Sequence, residues 1–147
     1  MVRPGAPHVV GSALVIWVAI AVASAAASDD YKIIVNPDNP VAAIDRQFLR
    51  DAFLRKTSDW DGGEAIRPID LASRFPVRVR FAQDVLKKTP SQLKSYWSQQ
   101  IFSGKGVPPP EADSTAAVVA YVLSHRGAVA YLPLEADAGA AKVVKVK

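Results

Sequence analysis

The sequence predicts an α/β fold around a small sheet, because strand-like runs alternate with helical segments along most of the chain. The runs Tyr31–Val35, Ala128–Leu132 and Lys142–Lys147 are rich in β-branched and apolar residues, as strands are. Between them, apolar residues recur every three or four positions, which is the spacing of one helix face. We therefore expect a single domain in which helices pack against a sheet.

The first 27 residues have the order of a secretory signal peptide. Arg3 supplies a positive charge, Val9–Val22 is an apolar run, and Ala25–Ala27 offers a small-residue cleavage site. The run is shorter than the roughly 20 residues that span a bilayer comfortably. Cleavage after Ala27 leaves residues 28–147, which is enough chain for one domain. We expect this mature protein to lie in the periplasm and to have no stable membrane span. An uncleaved signal anchor is the alternative.

Composition argues against several classes of protein. The absence of cysteine excludes disulfides and lipoprotein anchoring. The net charge of +4 comes from basic residues scattered along the chain, which does not favour a nucleic-acid binder. No residues have metal-ligand spacing, and no serine lies in a nucleophile-elbow motif. His125 is the one histidine of residues 28–147, and we interpret it as a structural residue at a helix end. We expect no catalytic residues, metal or cofactor, and no enzymatic activity.

Four helices follow from apolar periodicity and from residues that favour helix ends. Asp45 is placed to cap a helix over Arg46–Leu54, and Trp60 is expected to anchor the polar turn that follows it. A second helix opens at Pro76, and a third begins at Pro90 behind a Thr89 cap and continues to Gly104.

The fourth helix, Thr115–Ser124, is apolar nearly all round, so we expect it to be buried on more than one side. Asp113 or Ser114 is expected to cap its beginning, and Gly127 its end.

An anion site is the chemistry that the residues favour. A short strand, Ile66–Asp70, is followed by the loop Leu71–Phe75 and then directly by a helix start, where free N–H groups attract oxyanions. Ser73 would donate from its hydroxyl, and Arg74 or Arg78 would add charge-assisted bonds. Asp70 would orient an arginine or accept from a protonated phosphate oxygen. Alternatively, Ser73 is only a helix cap and the arginines are surface residues.

Three blocks of sequence resemble the phosphate-binding-protein-like group of periplasmic solute-binding proteins. FLRKTSDWDGG with the IRPID that follows it resembles the family's "IF-x-GK-x-x-x-W-x-DG…I-x-P-V" block. FAQDVLKKTPSQLKSYWSQQIFSGKG comes next, and HRGAVAYLPLEA is similar to the "PGAIGYV" strand entry. The blocks follow the family's order, and the resemblance extends over Tyr31–Val146.

The resemblance implies a type II periplasmic binding-protein fold, of which the chain would form a single three-layer α/β/α lobe with a small mixed sheet. It also implies a periplasmic location and recognition of phosphate or another oxyanion for uptake by an ABC transporter. Two departures stand out: such proteins have two lobes, and their phosphate loop "R-x-D-G-S-G-T" corresponds here to Ile69–Pro76, which has no glycine. In this loop, Asp70, Ser73 and Arg74 keep suitable chemistry.

Two other functions stay open. The second hypothesis is a non-ligand-binding accessory module that docks a membrane or outer-membrane partner. It predicts an exposed apolar patch on the protein. A small hydrolase is the third hypothesis, and it would have to use His125.

Overall fold

The computed structural model describes residues 30–147 and, before them, only Arg3 and Gly5. The predicted signal peptide therefore lies outside the described residues, apart from these two. The strands are β1 Tyr31–Val35, β2 Ala43–Ile44, β3 Arg67–Pro68, β4 Asp70–Leu71, β5 Glu111–Ala112, β6 Ala128–Pro133 and β7 Lys142–Val146. The helices are α1 Arg46–Phe53, α2 Pro76–Phe81, α3 Pro90–Phe102 and α4 Thr115–Ser124, and a π-helical turn over Ala82–Leu86 continues α2. None of the helices in residues 30–147 is long and apolar enough to cross a bilayer.

Five strands form one mixed sheet in the order β2-β7-β1-β6-β3. β1 is antiparallel to both of its neighbours, β6 and β7, whereas the edge strands β2 and β3 are parallel to theirs. Pro68, which has no N–H to donate, lies on an edge strand, where the missing donor costs least. β4 and β5 form a separate parallel pair.

Helices cover both faces of the sheet. Ala128–Leu132 on β6 is buried at every position, although successive side chains of a strand point to opposite faces. Tyr131 faces Phe53 of α1 and Phe81 of α2, and α4 packs on β6 and β1, where it covers the other face. The predicted α/β fold in three layers with a small mixed sheet is thus confirmed.

The helix starts predicted from capping residues are confirmed. The Asp45 carboxylate accepts from two backbone N–H groups at the start of α1. Thr89 and Gln92 form a reciprocal capping box at the start of α3. Ser114, not Asp113, caps α4, because its hydroxyl accepts from the Ala117 N–H.

Two strand predictions need correction. The single strand expected over Ile66–Asp70 is divided at Ile69: β3 pairs with β6, and β4 leaves the sheet to pair with β5. Leu71, expected in a loop, belongs to β4. The two-residue strands β2 and β5 were not predicted, because two residues are too few to show an alternating pattern.

Two expectations about α4 were also wrong. The helix buries only Val118 and Val122, since it is an outer layer with one face on the sheet. Gly127 does not end the helix, which stops at Ser124 with His125 as its C-cap residue. The reason for glycine at this position is contact, because a Cβ on Gly127 would lie 1.8 Å from the Ala65 carbonyl oxygen.

Candidate functional site

A cleft of about 320 Å³ opens where the β4–β5 pair meets α2 and α3. Its walls are mainly apolar and its polar groups are few, which is the usual composition of a small-molecule site. The apolar lining residues are Phe53, Val79, Ala82, Leu86, Pro90, Leu93, Trp97, Pro108 and Pro109. The polar ones are Asp70, Ser73, Arg78, Lys94 and Glu111.

Strand register brings two carboxylates together in this cleft. Asp70 on β4 is paired with Glu111 on β5, and paired residues of parallel strands present their side chains on the same face. Arg78, at the third position of α2, reaches both: Nη2 lies 3.5 Å from Asp70 Oδ2, and Nη1 lies 2.6 Å from Glu111 Oε1. The guanidinium therefore relieves the repulsion between two neighbouring negative charges.

Arg78 is held firmly but keeps free donors. Nη1 also donates to the Leu71 carbonyl oxygen at 2.9 Å, which fixes the orientation of the planar guanidinium. Nε makes no hydrogen bond to any residue in 30–147, and Nη2 has only the long contact with Asp70. One edge of the guanidinium is thus available to a ligand.

Tyr131, on β6, holds the Asp70 carboxylate in place. The phenolic hydroxyl of Tyr131 donates to Asp70 Oδ1, and the Leu71 N–H donates to the same carboxylate oxygen at 2.9 Å.

Burial raises the pKa of Asp70 above its usual value, against the opposing effects of the Tyr131 bond and the Arg78 charge. Burial, followed by the adjacent Asp70, also raises the pKa of Tyr131, so its hydroxyl keeps its proton. Burial alone would lower the pKa of Arg78, but the carboxylates of Asp70 and Glu111 raise it.

Aromatic stacking fixes the position of Tyr131. Its ring lies 4.1 Å from the Phe81 ring at an interplanar angle of 12°. The Phe81 ring in turn meets Phe53 at 4.8 Å and Tyr31 at 5.5 Å, both edge-on. The floor of the cleft is therefore built on the packed core between the sheet and the helices α1 and α2.

The structure brings three of the four predicted site residues into the cleft. Asp70, Ser73 and Arg78 line it, whereas Arg74 is absent from its lining. Arg74 instead pairs with Asp113 at 3.2 Å on the exposed side of the loop, where its side chain is 60% exposed. Ser73 does not cap α2, since the cap residue is Phe75 and no side chain caps this helix.

Sequence reasoning missed Glu111 and Lys94 as cleft residues, and Tyr131 as the residue that supports Asp70. Tyr131 carried a signal, because a tyrosine within a fully buried strand needs a partner for its hydroxyl. No sequence signal pointed to Glu111, because its position depends on the pairing of two strands that are too short to be recognised from sequence. Lys94 lies on the same helix as the other lining residues Leu93 and Trp97.

Other predicted features lie outside the cleft. His125 stacks on Tyr121 at 4.1 Å, and its Nδ1 lies 2.9 Å from the Tyr121 carbonyl oxygen, which is a structural arrangement. Trp60 anchors its turn as expected, because Nε1 donates to the Gly127 carbonyl oxygen at 3.0 Å, just before β6. In the described part of the chain no three acidic or histidine side chains are grouped so as to hold a metal ion.

Comparison with known proteins gives matches among solved structures only. No protein-family model matches the sequence, and no curated protein does. A phosphate ABC transporter substrate-binding protein from Clostridium perfringens, described as putative and solved with bound phosphate, matches with a TM-score of 0.61 at 16% identity. PstS from Borrelia burgdorferi matches with a TM-score of 0.61 at 12% identity, and an ABC-type phosphate transport receptor from Vibrio cholerae with 0.58 at 15%.

The chain has the fold of phosphate ABC transporter substrate-binding proteins. Each of these matches covers 80% of this chain. The chain spans less than half of its counterparts: 44% of the Clostridium protein, 47% of the Borrelia protein and 46% of the Vibrio protein. The resemblance read from the sequence blocks is confirmed at the level of the fold, and the matched structures are binding proteins rather than enzymes.

Proposed function

We propose that the chain is a non-enzymatic solute-binding module of the periplasm, related to phosphate or other oxyanion binding for uptake by an ABC transporter. The signal-like order of residues 1–27 supports export, and the fold supports a substrate-binding role. The ligand would occupy the cleft lined by Asp70, Ser73 and Arg78.

One observation carries the proposal: Leu71 and Glu111 orient Arg78, yet within residues 30–147 its Nε makes no hydrogen bond and its Nη2 makes only the 3.5 Å contact with Asp70. An oxyanion would take both donors side by side, which is the arrangement that makes arginine a good phosphate ligand. The Ser73 hydroxyl would add a third bond at the mouth of the cleft. Asp70 would accept a hydrogen bond from the protonated oxygen of a monohydrogen phosphate, as the sequence suggested.

The same geometry limits the affinity. Two carboxylates already offset the charge of Arg78, so an anion gains less Coulomb energy than it would from an unpaired arginine. We therefore expect phosphate to bind with a dissociation constant of about 0.1–1 mM.

Calorimetric titration of residues 28–147 with phosphate tests the proposal. Arg78→Gln is expected to abolish binding, whereas Arg74→Gln, which removes an equal charge outside the cleft, is expected to leave it nearly unchanged. Loss of binding in Arg74→Gln alone would move the site to the exposed loop. The absence of any binding heat at several times about 1 mM phosphate would exclude oxyanion binding by this chain.

A second function, docking of an envelope partner, is favoured by a specific surface. Phe102 is 95% exposed at the end of α3, and Ile101 and Val107 are 55% and 61% exposed. Val107 directly precedes Pro108 in the cleft wall, so this exposed residue adjoins the candidate site. Exposed patches rimmed by polar residues are typical of interaction surfaces.

A photo-crosslinking amino acid at position 102, in cells that export the protein, tests docking. A specific adduct from position 102, absent when the crosslinker replaces the exposed Lys145, would support a partner. Equal labelling from both positions would remove the docking function.

A further inference from the structure

A second cavity, of about 470 Å³, shares no lining residue with the cleft around Arg78. It lies between the β1–β2 connection, the turn after α1 and the α4–β6 connection. Its lining residues are Asn39, Pro40, Val41, Trp60, Asp61, Gly62, Glu64 and Arg126. Charges of both signs and an apolar wall thus meet in one place.

The charged groups of this cavity have no ion-pair partner in the described part of the chain. Neither carboxylate, of Asp61 or of Glu64, forms an ion pair with any residue in 30–147, and neither does Arg126. Opposite charges that line one cavity without pairing are available to a ligand that carries both signs.

Asn39 supplies a hydrogen-bond donor whose position is fixed. The residue is only 5% exposed, and its Oδ1 accepts from the Val41 N–H at 3.0 Å. Its Nδ2 has no hydrogen-bond acceptor among residues 30–147, although the residue lines the cavity. Nδ2 therefore reaches the solvent of the cavity and is free to donate to a ligand oxygen, while the bond from Val41 holds the amide in place.

Trp60 offers apolar surface only. Its single donor, Nε1, is used by the Gly127 carbonyl oxygen, and its ring packs on Phe48 at 5.3 Å. The ring is half-buried, and with Pro40 and Val41 it forms a wall against which a hydrocarbon side chain packs. An indole face is also the best aromatic partner for an ammonium group.

We propose that this cavity binds a small zwitterion with an apolar side chain, of the free α-amino acid class. The ligand carboxylate pairs with Arg126 and accepts from Asn39 Nδ2. The ligand ammonium lies between Asp61 and Glu64, and the side chain packs on Trp60. Each polar group of the cavity then has a partner of opposite sign or of complementary hydrogen-bonding type.

The test is an NMR titration of ¹⁵N-labelled residues 28–147 with L-leucine and with two analogues that each lack one charge. 3-Methylbutylamine lacks the carboxylate, and 4-methylpentanoate lacks the ammonium. Leucine is expected to shift the Trp60 indole and Asn39 side-chain signals with a dissociation constant of about 1 mM or below. Each analogue is expected to bind about tenfold or more weakly, since it loses charge-assisted bonds.

Variants locate the site. Arg126→Gln and Glu64→Gln are exposed changes that leave the core intact, and each is expected to weaken leucine binding about tenfold. Lys145→Gln, at an exposed position of β7, removes the same charge as Arg126→Gln and is expected to have no effect. Equal binding of leucine and both analogues, unchanged binding in Arg126→Gln, or no shift at several times about 1 mM leucine would overturn the proposal.

Discussion

Asp70 and Glu111 lie side by side because β4 and β5 pair in parallel, and Arg78 holds the two carboxylates together. The strand pair, the start of α2 and the core tyrosine Tyr131 are thereby joined in one polar cluster. This cluster determines both the stability of the region and the chemistry of the cleft. Charge on one member consequently affects all the others.

Replacement of Arg78 by leucine is expected to destabilise the fold. Asp70 is 15% exposed and Arg78 24%, so the change leaves two adjacent carboxylates in a partly buried place without their cation. We expect a loss of about 1–3 kcal/mol, between the values for exposed and buried ion pairs. Urea unfolding at neutral pH measures it.

Arg74→Leu is the matched control for that loss. Its pair with Asp113 is exposed, at 60% and 92%, and is expected to contribute less than about 0.5 kcal/mol. Equal losses in the two variants would show that the Arg78 pairs contribute no more than a surface ion pair.

Stability is expected to depend on pH through Asp70. Its pKa is raised in the folded protein, mainly by burial, so the folded state holds this proton more tightly than the unfolded state. The resulting contribution is fully present below the unfolded value of 3.8 and is lost as the pH rises through the raised folded pKa.

Asp70→Asn removes this titration but keeps an acceptor for Tyr131. We therefore expect the unfolding free energy of the wild type, minus that of Asp70→Asn, to fall as the pH rises from below 3.8 towards neutrality. Urea unfolding of both proteins across this range gives the difference. A difference that increases with pH would show instead that the attraction of Arg78 outweighs burial.

Most of the layer architecture could be predicted from residue patterns. Asp45, Thr89 and Ser114 mark helix starts by local hydrogen bonding, which depends only on nearby sequence. The apolar run over Ala128–Leu132 identified β6, since continuous apolar character is typical of a strand buried on both faces.

The cleft was only partly predictable, because its geometry depends on contacts between distant segments. Asp70, Ser73 and Arg78 follow one another closely, so a local pattern identified them. Glu111 lies in the cleft because β4 and β5 pair over two residues, and no local sequence pattern specifies that pairing. The turn of Arg74 away from the cleft follows from its pair with Asp113, another distant residue.

Gly127→Ala is expected to be strongly destabilising. The new Cβ would lie 1.8 Å from the Ala65 carbonyl oxygen, which is backbone and yields only if the chain moves. The same glycine accepts from Arg67 N–H at 2.9 Å and from Trp60 Nε1 at 3.0 Å, so movement weakens the attachment of β3 and of the Trp60 turn. We expect a loss of about 2–4 kcal/mol, in the range of overpacking combined with lost hydrogen bonds.

Gly62→Ala provides the comparison for Gly127, since a Cβ there meets nothing within 4 Å and its φ is not left-handed. Its free energy of unfolding is expected to stay within about 1 kcal/mol of the wild type. If thermal unfolding shows the two alanine variants to be equally stable, the close approach of Gly127 to Ala65 does not exist in solution.

Arg55→Gly is expected to stabilise the protein. Arg55 adopts φ = 60°. In the "IF-x-GK" pattern that the sequence around Phe53 resembles, glycine corresponds to Arg55. A non-glycine residue in the left-handed region costs about 1–2 kcal/mol, and glycine removes that cost while adding about 0.5–1 kcal/mol of unfolded-state entropy. The Arg55 side chain is exposed and forms no ion pair within residues 30–147, so its loss removes little else. We expect a net gain of about 0.5–1 kcal/mol in urea unfolding. Lys56→Gly is the control, because Lys56 is an exposed neighbour without a positive φ, and we expect no gain in stability from it. A gain of equal size in Lys56→Gly would show that glycine stabilises this turn in general, and that relief of backbone strain at Arg55 is not the cause.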